Sequence, residues 1–135
     1  MPAGYSRTPT ARKLGIKPSA TVAVVGDEKF EIPDLPEGVT LRRDLRGSAA
    51  LDVVLLLCAR ERTLARRFDA CAARLAPAGG LWVCWPKKAS GVPTDLSDDL
   101  VRSFGLDRGL VDNKVCALDD TWSALRFVIR LKDRG

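Results

Sequence analysis

The chain has 135 residues, 46% hydrophobic and 29% charged, with a net charge of +5. That length holds one domain and one core, and no run of roughly 18 apolar residues exists to span a bilayer. Histidine is absent, which excludes a Ser-His-Asp triad and a mixed Cys/His zinc site.

Residues 1–7 read as a flexible tail ahead of one domain over residues 8–135. Met1 to Lys17 lacks the apolar segment of a secretory signal, so a cytoplasmic location is expected. Thr8-Pro9 reads as a cap followed by proline at the first helical position. The short helix that follows is stopped by Gly15, and Pro18 forbids its continuation. Thr21 to Val25 is a β-branched apolar run, the pattern of a buried strand, and it ends at Gly26. A nucleotide-binding α/β fold continues here with a glycine-rich turn that opens a helix. This chain continues with Asp27-Glu28-Lys29-Phe30 and a stretch broken by Pro33 and Pro36, which holds one helical turn at most. Val39 to Arg43 is a second strand, polar enough for a place near an edge.

Leu51 to Cys58 is apolar on both faces, as in a central parallel strand covered by helices. Glu61 to Leu75 follows as a helix with Leu64, Phe68, Cys71, Ala72 and Leu75 on one stripe. Arg62, Arg66, Arg67 and Arg74 lie off the stripe and should face water. Leu81 to Trp85 is the next strand, and Pro86 to Thr94 a polar loop. Thr94 or Asp95 caps a helix reaching Phe104, with Asp98 and Asp99 in its first turn and Gly105 as its stop. Leu110 to Leu118 and Ser123 to Leu131 form an antiparallel hairpin across a short turn. Leu45 to Ala50 is too short for a helical crossover. Six to eight extended residues reach roughly 20–28 Å, against about 20 Å to return along a strand and step over one neighbour. The link therefore closes without a helix and leaves one face of the sheet thinly covered.

Leu14-Gly15-Ile16-Lys17-Pro18, the strand Leu51 to Cys58, Leu75-Ala-Pro-Ala-Gly-Gly-Leu-Trp-Val83 and the closing hairpin together resemble the methyltransferase-type Rossmann fold. The fold class expected is a single α/β Rossmann-like domain of three layers. Its mostly parallel sheet of about six strands ends in the antiparallel hairpin, methyltransferase-like but truncated by about one βα unit. In that family a G-x-G-x-G loop follows the first strand and an acid at the end of the second binds ribose. Here only Gly26 remains of the loop, and Asp44 is the candidate acid. Trp85-Pro-Lys-Lys-Ala-Ser-Gly91, Thr94-Asp95-Leu96, Gly109 to Cys116 and Asp120-Thr121-Trp122-Ser123 are similar to a small bacterial family known as a domain of unknown function. That likeness implies a fold and a size without an activity.

Ligands of open parallel sheets bind beyond the carboxyl ends of the strands. Gly26-Asp27, Cys58 to Glu61, Trp85 to Thr94 and the hairpin tip Asp119 to Trp122 should converge there. The candidate binding residues are Gly26, Trp85, Lys87, Lys88, Ser90, Gly91, Thr94, Asp120, Thr121 and Trp122. Two lysines, a hydroxyl and a glycine ahead of a helix suit an anion; the alternative is a solvated turn with weak surface pairs. Trp82 reads as core, whereas Trp85 and Trp122 are either core or a stacking platform. Asp119 and Asp120 read as turn residues before they read as a base or a metal pair. No catalytic residue and no metal site are expected, and Cys58, Cys71, Cys84 and Cys116 read as reduced, buried thiols.

The leading expectation is a non-catalytic binding module that engages a protein partner or an anionic small molecule at this rim, with no cofactor. The first alternative is a minimal methyltransferase using S-adenosylmethionine. A second is nucleic-acid binding through the Arg60 to Arg74 helix, which would show a steep salt dependence.

Overall fold

The β-branched run becomes strand β1 (Thr21–Gly26) in the computed structural model, which describes residues 8–134. The tail expected at residues 1–7 lies outside them. Strands β2 (Thr40–Arg42), β3 (Leu51–Leu57), β4 (Leu75–Pro86), β5 (Leu110–Ala117) and β6 (Trp122–Ile129) complete one sheet in the order β2-β1-β3-β4-β6-β5. β1 pairs parallel with both β2 and β3, and β3 pairs parallel with β4. β6 runs antiparallel to β4 and to β5. The α/β fold with its antiparallel close is as expected. β2 is an edge strand, and residues 43–50 carry the chain over β1 to β3 without a helix.

The two faces of the sheet are covered unequally. Helices α2 (Glu61–Ala73) and α3 (Asp98–Asp107) cover one of them. Leu64, Phe68 and Cys71 of α2 and Val101 of α3 pack there on Val54, Leu56, Leu81, Val83, Leu125 and Phe127. Phe68 meets Phe104 and Phe127 edge-on, with ring centroids 5.3 and 5.6 Å away, the arrangement favoured by the ring quadrupoles. Among the described residues the other face has only the single-turn helix α1 (Thr10–Lys13) and the 27–39 segment, anchored by Ile32. Trp82 fills the middle of this thin layer and donates its indole N–H to the Leu14 carbonyl at 3.1 Å. Removing roughly 150–250 Å² of tryptophan from water is worth about 4–6 kcal/mol as an upper limit at ~25 cal/mol/Å². One aromatic side chain thus does much of what a helix does on the other face.

Several boundaries differ from expectation for identifiable reasons. Helix α1 starts at Thr10 with Pro9, not Thr8, at the cap position. Gly15, at φ +76°, ends it as foreseen: Gly15 N–H bonds Arg12 and Ile16 N–H bonds Ala11, a Schellman closure. Helix α3 begins at Asp98, because Ser97 is the residue whose hydroxyl accepts the Leu100 N–H. Gly105 lies within α3 instead of stopping it; the Phe127 ring occupies the space a Cβ would need. β4 starts at Leu75, well before Leu81, since Leu75 pairs with Leu51 ahead of an irregularity in the ladder. Arg74, expected in water, instead folds over the β2–β3 link. Its guanidinium donates to the carbonyls of Ala49 and Leu45, and to Arg46 at 3.3 Å. Among the described residues no helix is long and apolar enough to cross a membrane.

Candidate functional site

The carboxyl ends of β1, β3 and β4 share a rim with the β5–β6 turn, as the pairing of Pro86 with Trp122 requires. Two groupings form along it. At the exit of β4, Lys87 donates its backbone N–H to Thr121 at 2.8 Å and its ammonium to the Asp119 carbonyl at 2.7 Å. Asp119 accepts the N–H groups of Thr121 and Trp122, both at 2.8 Å, which is the turn role and not that of a base. Lys88 to Ser90 form a single 3-10 turn closed by Gly91 at φ +77°. Ser90 donates to the Lys87 carbonyl at 2.6 Å and accepts from Val92. Gly91 is separated from the α3 N-terminus by the 92–97 segment, so the expected loop-to-helix anion cradle does not form. Lys88 and Asp120 are exposed. Trp85 and Trp122 are buried in the cores of opposite faces, so they do not form one platform.

The second grouping sits at the exits of β1 and β3. Thr94 donates its hydroxyl to the Ala59 carbonyl at 2.6 Å, and Asp95 accepts the Glu61 N–H at 2.7 Å. The two residues read as a cap for α3 therefore serve the start of α2. Asp27 accepts from the Thr63 hydroxyl at 3.3 Å. Gly26 adopts φ +120°, a conformation essentially reserved for glycine. A Cβ there would overlap the Leu57 carbonyl. Its bareness is therefore already required by the neighbouring strand.

Beside Gly26 lies a cleft of about 410 Å³, lined by Asp27, Lys29, Arg43, Asp44 and Arg67 among others. Asp44, the candidate acid, shares this cleft with Gly26, just past the end of β2. The Arg46 backbone N–H and then the Arg42 guanidinium hold its pKa below the usual carboxylate value. It is thus an ionised, acceptor-only group, suited to hydroxyl donors. Arg67 was missed as a cleft residue; its spacing one turn after Thr63, which meets Asp27, is the signal that places both on the face toward β1.

Cys58, beside this rim, and Cys71 on α2 are poor nucleophiles. Burial, then the nearby Asp27 charge, raises the Cys58 thiol to about 12, and burial raises Cys71 to about 12. All four cysteines are free thiols, Cys116 only partly buried. Among the described residues no group of three His, Cys, Asp or Glu is placed to hold a metal.

No family model matches the chain, and no curated protein matches its sequence. Solved structures do. A SAM-dependent methyltransferase from Aquifex aeolicus matches with a TM-score of 0.61 at 13% identity, over 89% of this chain and 87% of that one. The ribosomal protein L11 methylase from Lactobacillus delbrueckii subsp. bulgaricus matches at 0.55 and 10% identity, over 90% and 75%. The methyltransferase-like fold read from the sequence is thereby shown. Membership of the bacterial family suggested by Trp85 to Gly91 has no family-model match behind it.

The cleft can be weighed against S-adenosylmethionine on its own residues. The ribose side fits: an ionised Asp44 stands free of the core beside a space of nucleoside size. The loop side differs, because Gly26 is closed by Leu57 and the following residues are Asp27 and Glu28.

Proposed function

We propose that the chain is a small S-adenosylmethionine-dependent methyltransferase of cytoplasmic setting, which holds the adenosyl group in the cleft between the exits of β1 and β2. The observation that carries this reading is the meeting of Asp44 and Gly26 in one cleft at the carboxyl end of β1. The solved methyltransferases of the same fold support it. Asp44 would accept from the ribose hydroxyls, and Lys29 and Arg67 would supply the cations for a carboxylate. The bound nucleoside brings an electrophilic methyl group on a sulfonium. This chain contributes the binding, the orientation and the burial of one side of the cleft.

Calorimetry with S-adenosylmethionine and S-adenosylhomocysteine tests the reading. Saturable binding of both is expected, weakened roughly tenfold in Asp44→Asn, the cost of one charge-assisted hydrogen bond. No binding of either compound would remove the proposal.

One observation favours a second reading, a non-catalytic module for a protein partner or an anionic ligand. The glycine position that a cofactor would approach is taken by the Leu57 carbonyl. In that case the nucleosides do not bind, and Lys88→Ala, at an exposed position, weakens partner capture without lowering the melting temperature.

A further inference from the structure

The opposite end of the sheet holds a cavity of about 510 Å³, within the size range of small-molecule sites. It is built by a break in the β3–β4 ladder. Leu51 pairs with Leu75, but Val53 pairs with Gly80, so residues 76–79 of β4 face Asp52 alone and bow outward. Such bulges recur beside functional sites because they re-aim side chains. The loop after α1 supplies the facing wall with Lys17 and Ser19, and Ser19 is one of two non-glycine residues with positive φ among the described residues.

Arg126 reaches the cavity from β6 on the thin face, paired across the ladder with Trp82. Gly80 makes its seat: a Cβ there would overlap the guanidinium. The group is half-buried, and its hydrogen bond is to the Asn113 side-chain oxygen at 3.3 Å. Among the described residues no carboxylate pairs with it, and none pairs with Lys13, Lys17 or Lys114. Burial and then the nearby Arg134 charge push its pKa down. Its charge is therefore held at a net cost, which a bound anion would relieve.

An adjoining space of about 220 Å³ shares Gly15 and Arg126 and adds Lys13 and Lys114. Both ammonium groups are fixed nearby on carbonyls, Lys13 on Ala117 and Lys114 on Lys13. Asp52 is the acid on the cavity wall, and one of its oxygens takes the Thr21 N–H at 2.9 Å. Positive charge thus dominates a concave, partly desolvated site.

We infer that this cavity binds a small phosphorylated ligand, with the phosphate oxygens taken by Arg126 and Lys17. A guanidinium fork suits a planar pair of oxygens, and a second cation on a separate wall suits a dianion better than a monocarboxylate. Concavity favours a compact ligand over a nucleic-acid strand.

An amide NMR titration of the full chain with inorganic pyrophosphate tests this. Saturable shifts are expected at Gly15, Ser19 and Gly79, unaffected by S-adenosylhomocysteine. Arg126→Gln should weaken binding about tenfold or more, the worth of a charge-assisted hydrogen bond. Lys17 and Asp52 are exposed, so Lys17→Ala should weaken binding and Asp52→Asn strengthen it in folded protein even if Arg126→Gln fails to fold. Shifts confined to the Lys87–Lys88 loop, or affinities untouched by these changes, would overturn the inference. A single-stranded oligonucleotide that binds here where pyrophosphate does not would overturn it too.

Discussion

The two ends of this sheet carry similar residue types and use them in opposite ways. At the carboxyl rim Lys87, Ser90, Thr94, Asp95 and Asp119 all spend polar atoms on the backbone of neighbouring loops. At the amino end Arg126 has an amide oxygen for a partner and, among the described residues, no carboxylate. Polar residues that converge on a rim are therefore weak evidence of a ligand until their partners have been counted. A cation left without a counter-charge is stronger evidence, because its burial has a cost that something must offset.

Substitutions can break that contrast. Gly26→Ala should have the largest effect, since it places a Cβ on the Leu57 carbonyl at a φ that only glycine adopts comfortably. A loss of about 3 kcal/mol or more in urea unfolding is expected; a tolerated alanine would reopen the rim as a cofactor cradle. Arg74→Ala should cost about 2 kcal/mol, because a charged donor to the 45–49 carbonyls is lost. Lys87→Ala should cost about 1 kcal/mol and Lys88→Ala nothing measurable, since only Lys87 is tied to the Asp119 carbonyl. At the other end Arg126→Gln should leave the melting temperature unchanged or raise it. A marked drop would make Arg126 a structural residue and erase the contrast between the two ends. Finally, alkylation at mildly alkaline pH should label Cys116 first. Cys58, Cys71 and Cys84 are buried and their thiols are raised further, so they should react only on unfolding.

Legibility followed the range of the interactions. β3 and α2 were readable because apolar continuity and a helical stripe are local patterns, although α2 ends at Ala73 and Leu75, read as the last residue of its stripe, opens β4 instead. Thr94 and Asp95 were misread as a cap for α3 because a cap looks the same whichever backbone it serves; their partners are Ala59 and Glu61, far back in the chain. Gly105 looks like a stop in sequence, and only the Phe127 ring shows why it is a glycine inside a helix. The meeting of loops at the rim followed from topology alone. The cleft that joins Asp44 to Gly26 and Arg67 needed the path of the 43–50 link, which carries no periodic signal. The bulge behind the amino-end cavity falls in residues 76–79, between the helix read to Leu75 and the strand read from Leu81, where no pattern marks it.

Arg74 also sets an order of events during synthesis. The link it fastens, residues 45–49, leaves the ribosome well before the guanidinium that secures it. A nascent chain halted short of Arg74 should therefore present that link to protease. One extended through β4 should protect it.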